Sequence, residues 1–290
     1  DPPMAQALAS DKHVRPTDVC VQSVQVVRTE VLSSSFVRVT IGSDDPDFEF
    51  TPVGYDQWIR LFLPAHAGQQ LTLPDGIAEG WYSRLCAMPE ETRPLVRNYT
   101  IREARQTVSG WEFDIDFVVH RSATTGEIEG VGANWALAAT PGARVGILDQ
   151  GRIFAPEDAT GQVFTVADES GLPGIEGILR SLTPSAHAHV IIEVPHGDDI
   201  RALESAATVD VQWIIRADSP EHSRALAGRA VLAHLDAVTL DPRGYVYAVG
   251  EASFVLAARK VAQHAGLPKA AIDFCAYWRP GRRRDLKRAA

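Results

Sequence analysis

Cysteine is scarce in this 290-residue chain: Cys20, Cys86 and Cys275 are three in number and lie far apart. Odd and scattered, they exclude a disulfide framework, a C-x-x-C redox pair, and a self-contained cysteine-ligated zinc ribbon or iron–sulfur cluster. They fit a reducing, cytoplasmic setting. The nine histidines include no H-E-x-x-H. His187 and His189 stand two apart on an expected strand and face one way, but the sequence offers them no third ligand; they read as surface residues, and no metal is expected. No apolar run approaches the ~20 residues of a membrane span. The opening Asp1-Pro2-Pro3-Met4, with Met4 read as the natural start, lacks the charged-then-apolar layout of a secretory signal. Basic residues are outnumbered, 28 Lys+Arg against 37 Asp+Glu for a net charge of −9, which argues against a general nucleic-acid binder. Any redox chemistry therefore falls to an organic cofactor.

What is present is a folded two-part chain. Hydrophobic residues make up 45% and charged residues 22%, and the length suits two domains, each with its own core. The first half reads as β structure, with alternating β-rich runs at 19–27, 36–41, 55–63, 96–102, 111–120 and 144–148. Six short antiparallel strands of this spacing predict a small barrel. The long connection 64–94 is polar and turn-rich, is expected to carry a short helix, and is long enough to cover something. After Gly151 the pattern changes. Short apolar runs at 162–167, 189–194, 211–216 and 245–250 alternate with helical stretches at 172–182, 199–206, 223–235 and 251–266, which predicts a parallel doubly wound sheet. The architecture expected is thus a six-stranded antiparallel barrel over 17–151, a linker over 151–161, and an α/β domain over 161–290 with a basic tail.

Arg97-Asn98-Tyr99-Thr100-Ile101-Arg102 falls on the fourth expected strand. Alternation puts Arg97 and Tyr99 on one face. A guanidinium there can clamp a diphosphate and a neighbouring tyrosine ring can stack on a flat heterocycle, although an ordinary amphipathic strand reads the same way. Further motifs follow in order. Trp81-Tyr82 and Arg93-Pro94 precede the strand; Asp116-Phe117-Val118-Val119-His120, Asn134-Trp135-Ala136 and Pro141-Gly142 come after it. The second half holds Asp168-Glu169-Ser170-Gly171-Leu172-Pro173, Gly250-Glu251-Ala252 and Tyr277-Trp278-Arg279-Pro280-Gly281. This ordered series, from about Val19 to Gly281, resembles the siderophore-interacting protein family, FAD-containing ferric-siderophore reductases of ferredoxin-reductase-like fold.

The resemblance implies roles residue by residue. Arg97 meets the FAD diphosphate, Tyr99 packs on the isoalloxazine, and Thr100 and Ile101 continue that strand, with Thr100 near the flavin N5. Phe117, Val118 and His120 line the cofactor; His120 also reads as a strand-end residue bonding the next loop. Gly132, Ala133, Asn134 and Trp135 open a helix expected over 134–140, where free N–H groups suit a diphosphate. The family usually has Pro-Ala-Ser before the tryptophan; here Gly132-Ala133 lose the hydroxyl, leaving backbone amides, with Asn134 as a substitute. No G-x-G-x-x-G follows the first α/β strand. Asp168 and Ser170 join strand to helix instead, with Ser170 placed beside flavin and nicotinamide and also readable as a helix cap, and Pro173 near the helix start. Glu251 ends a strand at the carboxyl edge, as a nucleotide ligand or as a favourable first-turn carboxylate. Trp278 covers the flavin or packs in the core. Arg60 and Arg279 are the expected docking cations for an anionic ferric chelate, while Arg282, Arg283, Arg284, Lys287 and Arg288 form a basic tail that reads as a solvated turn or a ferredoxin dock.

The function so implied is reduction of a chelated ferric ion through FAD, with NADPH, NADH or reduced ferredoxin as donor, catalysed around Thr100 and Ser170 by a cytoplasmic monomer that binds no nucleic acid or membrane. The alternatives are a flavin or general-acceptor reductase without siderophore specificity, and a non-catalytic flavin or siderophore binder.

Overall fold

The β-branched runs of the first half close on themselves. In the computed structural model, which describes residues 14–280 except 18, 123, 157–161 and 222–226, this half forms nine strands. They are β1 (Gln22–Val31), β2 (Phe36–Ser43), β3 (Trp58–Leu63), β4 (Leu95–Thr100), β5 (Glu103–Thr107), β6 (Gly110–Val118), β7 (His120–Arg121), β8 (Ile128–Glu129) and β9 (Arg144–Asp149). Seven of them make one antiparallel sheet in the order β4-β3-β9-β1-β2-β6-β5. β4 and β5 sit at opposite ends of that order yet follow one another in the chain, and Arg102 N between them donates to Asp114 O of β6. The two edges must therefore meet, which rolls the sheet into a barrel. Inward positions fill it with Val24, Val39, Ile41, Ile59, Leu61, Phe113, Ile115 and Ile147, each no more than 1% exposed. The seventh strand corrects the expected six: β5 reads Glu-Ala-Arg-Gln-Thr, with no apolar alternation, and is held by pairing to β6 rather than by burial.

The 64–94 connection carries one helix, α1 (Trp81–Ala87), and a second, α2 (Val131–Ala138), lies between β8 and β9. The second half forms a parallel sheet of β10 (Val163–Ala167), β11 (His187–Val194), β12 (Thr208–Ile215), β13 (Tyr245–Glu251) and β14 (Ile272–Trp278), ordered β12-β11-β10-β13-β14. It is flanked by α3 (Leu172–Ser181), α4 (Arg229–Ala237) and α5 (Ala252–His264). β10 is buried throughout, as its continuous apolar run requires. Three corrections apply. β14 is a fifth parallel strand where only a closing motif is evident in the sequence. No helix spans 199–206: a single 3-10 turn, Gly197–Asp199, precedes irregular chain, because the Asp199 carboxylate turns back to accept from His196 N at 2.9 Å and from the barrel loop. α2 begins three residues before its expected start. The basic residues Arg282, Arg283, Arg284, Lys287 and Arg288 lie outside the described residues. Among the described residues, no helix is long and apolar enough to cross a membrane.

Candidate functional site

The strand order reverses between β10 and β13, so a crevice opens at their carboxyl ends. That edge faces β3 and β4 of the barrel across a cleft of about 2290 Å³. Arg97, Tyr99, Thr100, Val118, His120, Gly132, Ala133, Asn134, Trp135, Ser170, Trp278, Arg60 and Arg279 all line it. Residues 64–69 and 79, with Trp81, Tyr82 and Leu85, form part of the wall, so the long connection does cover the cleft.

On the barrel side, Arg97 is exposed and only its Nη1 is engaged, on Val96 O at 2.8 Å. The Tyr99 ring packs against Phe117 (centroids 4.3 Å, 46°), and burial pushes its hydroxyl pKa up. Phe117 is 1% exposed and props Tyr99 from beneath rather than lining the cleft; Ile101 is buried in the barrel core with its N–H on Gln57 O at 2.8 Å. A Cβ at Gly132 would stand 1.8 Å from the Tyr99 hydroxyl oxygen, so glycine is what lets this tyrosine seat against the start of α2. The first amides of that helix have no intrahelical acceptor by geometry. Asn134 does not replace the missing hydroxyl as a donor: its Nδ2 is committed to Gly130 O (2.9 Å) and Ile128 O (3.1 Å).

On the α/β side, Asp168 organises the crevice. Its Oδ1 accepts from the Ser170 amide at 2.9 Å and from the Ser170 hydroxyl; its Oδ2 accepts from Glu251 N at 2.7 Å and Trp278 Nε1 at 3.0 Å. The cap is therefore Asp168, and Ser170 is the residue capped. Burial and the adjacent Glu169 charge push the Asp168 carboxyl up to about 7, against four donors that favour its ionised form. Gly250, at φ 136°, admits this carboxylate; a Cβ there would lie 2.5 Å from Asp168 Oδ2. Glu251 is not in the main cleft. Its Oε2 caps α5 by accepting from Ser253 N (2.9 Å) and Phe254 N (3.0 Å), and although burial works against it, these bonds hold the carboxylate below its usual pKa. Glu251 instead borders a small hollow shared with Arg279.

Two models of known families match the chain: a siderophore-interacting FAD-binding domain over residues 25–153 and a siderophore-interacting protein domain over 160–281. The chain belongs to the siderophore-interacting protein family. It is 26% identical over 264 residues to the ferric vibriobactin reductase ViuB of Vibrio cholerae, covering 89% of each chain. It is 32% identical over 175 residues to the NADPH-dependent ferric-chelate reductase of Escherichia coli, covering 58% of this chain and 60% of that one. The crystal structure of a siderophore utilization protein from T. fusca superposes with a TM-score of 0.74 at 24% identity, over 93% of this chain and 97% of the other.

In this siderophore-interacting protein the donor set suits FAD. An arginine with open N–H groups, a run of free helix-start amides and a propped tyrosine lie along one wall, which is what a diphosphate and a flat ring require. The docking cations differ. Arg279 is exposed at the cleft, whereas Arg60 is engaged: Nε bonds Gln150 Oε1 (3.0 Å), Nη1 bonds Asn98 Oδ1 (3.2 Å), the guanidinium lies 4.8 Å over Trp81, and burial lowers its pKa.

Three groups escaped the sequence reading. Arg216, in the cleft wall, forks onto Glu169 (2.6 and 3.2 Å) and also meets Glu193 (2.7 Å), both carboxylates being nearly fully buried. His120 Nε2 stands 3.6 Å from Glu169. Their signal was present only as acids and an arginine at strand ends, a pattern too common to single out.

Proposed function

We propose that the protein is an FAD-dependent ferric-siderophore reductase, with its flavin-binding barrel domain over 17–151 and its NAD(P)H-binding-like domain over 161–290. What carries the reading is the convergence of Arg97, Tyr99, Thr100, the start of α2, His120, Ser170 and Trp278 on one cleft that also holds Arg60 and Arg279. FAD, when bound, supplies acceptance of an electron pair as hydride and its release one electron at a time. The chain's own residues bind and orient. Arg97 and the α2 amides would hold the diphosphate, while Tyr99, on its Phe117 prop, and Trp278, fixed by Asp168, would hold the ring. Thr100 holds a proton at Oγ1 and interacts with the Tyr277 hydroxyl, which is 3.1 Å from that of Tyr247, itself donating to Asp56 at 2.8 Å. Arg279, with Arg60 behind it, attracts an anionic chelate. Each NAD(P)H oxidised to NAD(P)⁺ reduces two chelated ferric ions, and hard oxygen chelators hold the ferrous product less well. Reduced ferredoxin is the other donor weighed; the NADPH dependence of the Escherichia coli relative supports the nucleotide. Three free cysteines support a reducing cytoplasmic setting.

The test is an anaerobic assay of a ferric siderophore with FAD-loaded protein and NADPH, NADH or reduced ferredoxin, trapping ferrous iron with a chromogenic chelator. Ferrous iron should form only with flavin present. A protein that gains no flavin absorbance near ~450 nm on adding FAD refutes the reading. The engagement of Arg60 favours a second one, a general-acceptor reductase without siderophore selectivity; it predicts faster turnover of ferricyanide or free flavin than of any ferric siderophore.

A further inference from the structure

At the opposite edge of the parallel sheet the structure supplies what the sequence lacked beside His187 and His189. β12 pairs with β11 in parallel register that sets Asp210 level with His189. Asp210 Oδ2 lies 2.7 Å from His187 Nε2 and 3.5 Å from His189 Nδ1, and one ligand atom from each of the three residues falls within 4.8 Å of the others. We propose that His187, His189 and Asp210 form a binding site for a divalent first-row transition ion such as zinc(II) or iron(II).

The argument is geometric. Donors bound at ~2.0–2.2 Å to a tetrahedral ion stand about 3.3 Å apart; the two separations to Asp210 Oδ2 lie on either side of that value, and the third is within 4.8 Å, so small side-chain shifts let an ion seat. Two imidazoles and one carboxylate, with the remaining positions left to water, are the donor set that zinc and ferrous iron accept and that magnesium and calcium do not favour. The site is also held in shape. His189 stacks on Phe164 (centroids 4.8 Å, 17°), and the two histidine rings lie 4.4 Å apart. Both imidazoles thus converge on one carboxylate oxygen, His187 within hydrogen-bond distance and His189 at ion-pair distance. The histidines and Asp210 are partly to largely exposed, so the ion has access. His187 and His189 are the first and third residues of β11, so five further residues, roughly 16 Å at strand rise, lie between the site and the carboxyl end at the cleft. The site thus stands apart from the proposed flavin chemistry and does not rest on it.

The test uses tag-free, chelator-stripped full-length protein titrated by calorimetry with Zn²⁺, with anaerobic Fe²⁺ and with Mg²⁺. One Zn²⁺ per chain should bind with Kd below ~10 μM, Fe²⁺ more weakly, and Mg²⁺ not measurably. His187→Gln and Asp210→Asn, both at exposed positions, should each weaken Zn²⁺ binding at least about tenfold while leaving the thermal midpoint of the metal-free protein close to wild type. Cobalt(II) should give the visible absorption of a tetrahedral nitrogen–oxygen site, lost in both variants. Absence of stoichiometric Zn²⁺ binding, equal binding of Mg²⁺, or Zn²⁺ affinity unchanged in both variants overturns the proposal.

Discussion

Arg97, open in the cleft, and Asp168, fully buried behind its α/β wall, are chemical opposites, an open cation and a closed acid. Because Arg97 is exposed and makes a single backbone bond, its loss should leave the apoprotein's stability unchanged. Charge-assisted bonds to a phosphate contribute about 1.5–3 kcal/mol, so Arg97→Ala should weaken FAD binding by about tenfold to a hundredfold, read by flavin fluorescence quenching against a constant thermal midpoint of the apoprotein. Asp168 behaves oppositely. Its folded-state pKa is raised to about 7, so the native chain holds a proton that the unfolded chain has released above the ordinary carboxylate range. Stability from this group is present below about pH 4 and is lost as pH rises through about 7. Asp168→Asn, which cannot ionise, should destabilise overall by disturbing four hydrogen bonds, yet its urea midpoint should fall less steeply than wild type between pH 5 and 8. A parallel slope in both proteins defeats the assignment. At this scale the site was partly legible. Arg97, Tyr99, Thr100 and Trp278 announce themselves by residue type and order, and all reach the cleft. Phe117 and Ile101 do not, because strand alternation turns them into the barrel core. Glu251 could be read as ligand or cap from its place at a strand end, and only the bonds to Ser253 and Phe254 show its carboxylate occupied.

Elements were legible where burial drives them and illegible where pairing does. β10, β11 and β13 stand out as apolar runs, whereas β5 is polar and exists because β6 pairs with it. The expected helix over 199–206 yields because a side chain at its start bonds to another part of the chain, which no local periodicity reports. The ends of the parallel strands depend on a similar non-local tie. Arg216, following β12, joins Glu193 of β11 to Glu169 after β10, and both acids are nearly fully buried. Removing one partner of a buried pair leaves uncompensated charge, at about 3–5 kcal/mol. Arg216→Ala should therefore lower the thermal midpoint by about 6–20 °C at pH 7.5. Arg216→Lys, which keeps the charge without the fork, should recover part of the loss. No recovery would point to lost packing instead.

At the scale of the molecule, the cleft exists only while barrel and parallel sheet keep their relative placement, and two polar clusters are among the contacts that fix it. In one, Asp116 of the barrel takes Arg38 at 2.7 Å and Arg201 of the α/β half at 2.8 Å, and Arg201 and the barrel's Arg102 both reach Glu176 of α3. In the other, Asp199, 1% exposed, accepts from the Ser35 hydroxyl at 2.8 Å, from the Ser35 amide at 3.2 Å and from the Ser33 hydroxyl. These serines occupy the turn between β1 and β2, far from the proposed flavin contacts in sequence. Asp199→Ala removes the acceptor of Ser33 and Ser35, leaving Asp198 on Ser34 alone, and each buried donor left unpaired costs about 1–3 kcal/mol. Loosening one clamp should let the halves unfold separately, so calorimetry should show a broadened or split transition where the wild type shows one. Because the cofactor is held from both sides in the proposed reading, FAD affinity should fall in this variant although none of the altered atoms lines the cleft. Saturating FAD should then restore a single transition, since a ligand bound only by the assembled form stabilises it by mass action. A variant that unfolds in one sharp step, with FAD affinity intact, would assign the joining of the two halves to the remaining contacts, the Asp116–Arg201–Glu176 cluster and the Asp56–Tyr247 hydrogen bond among them.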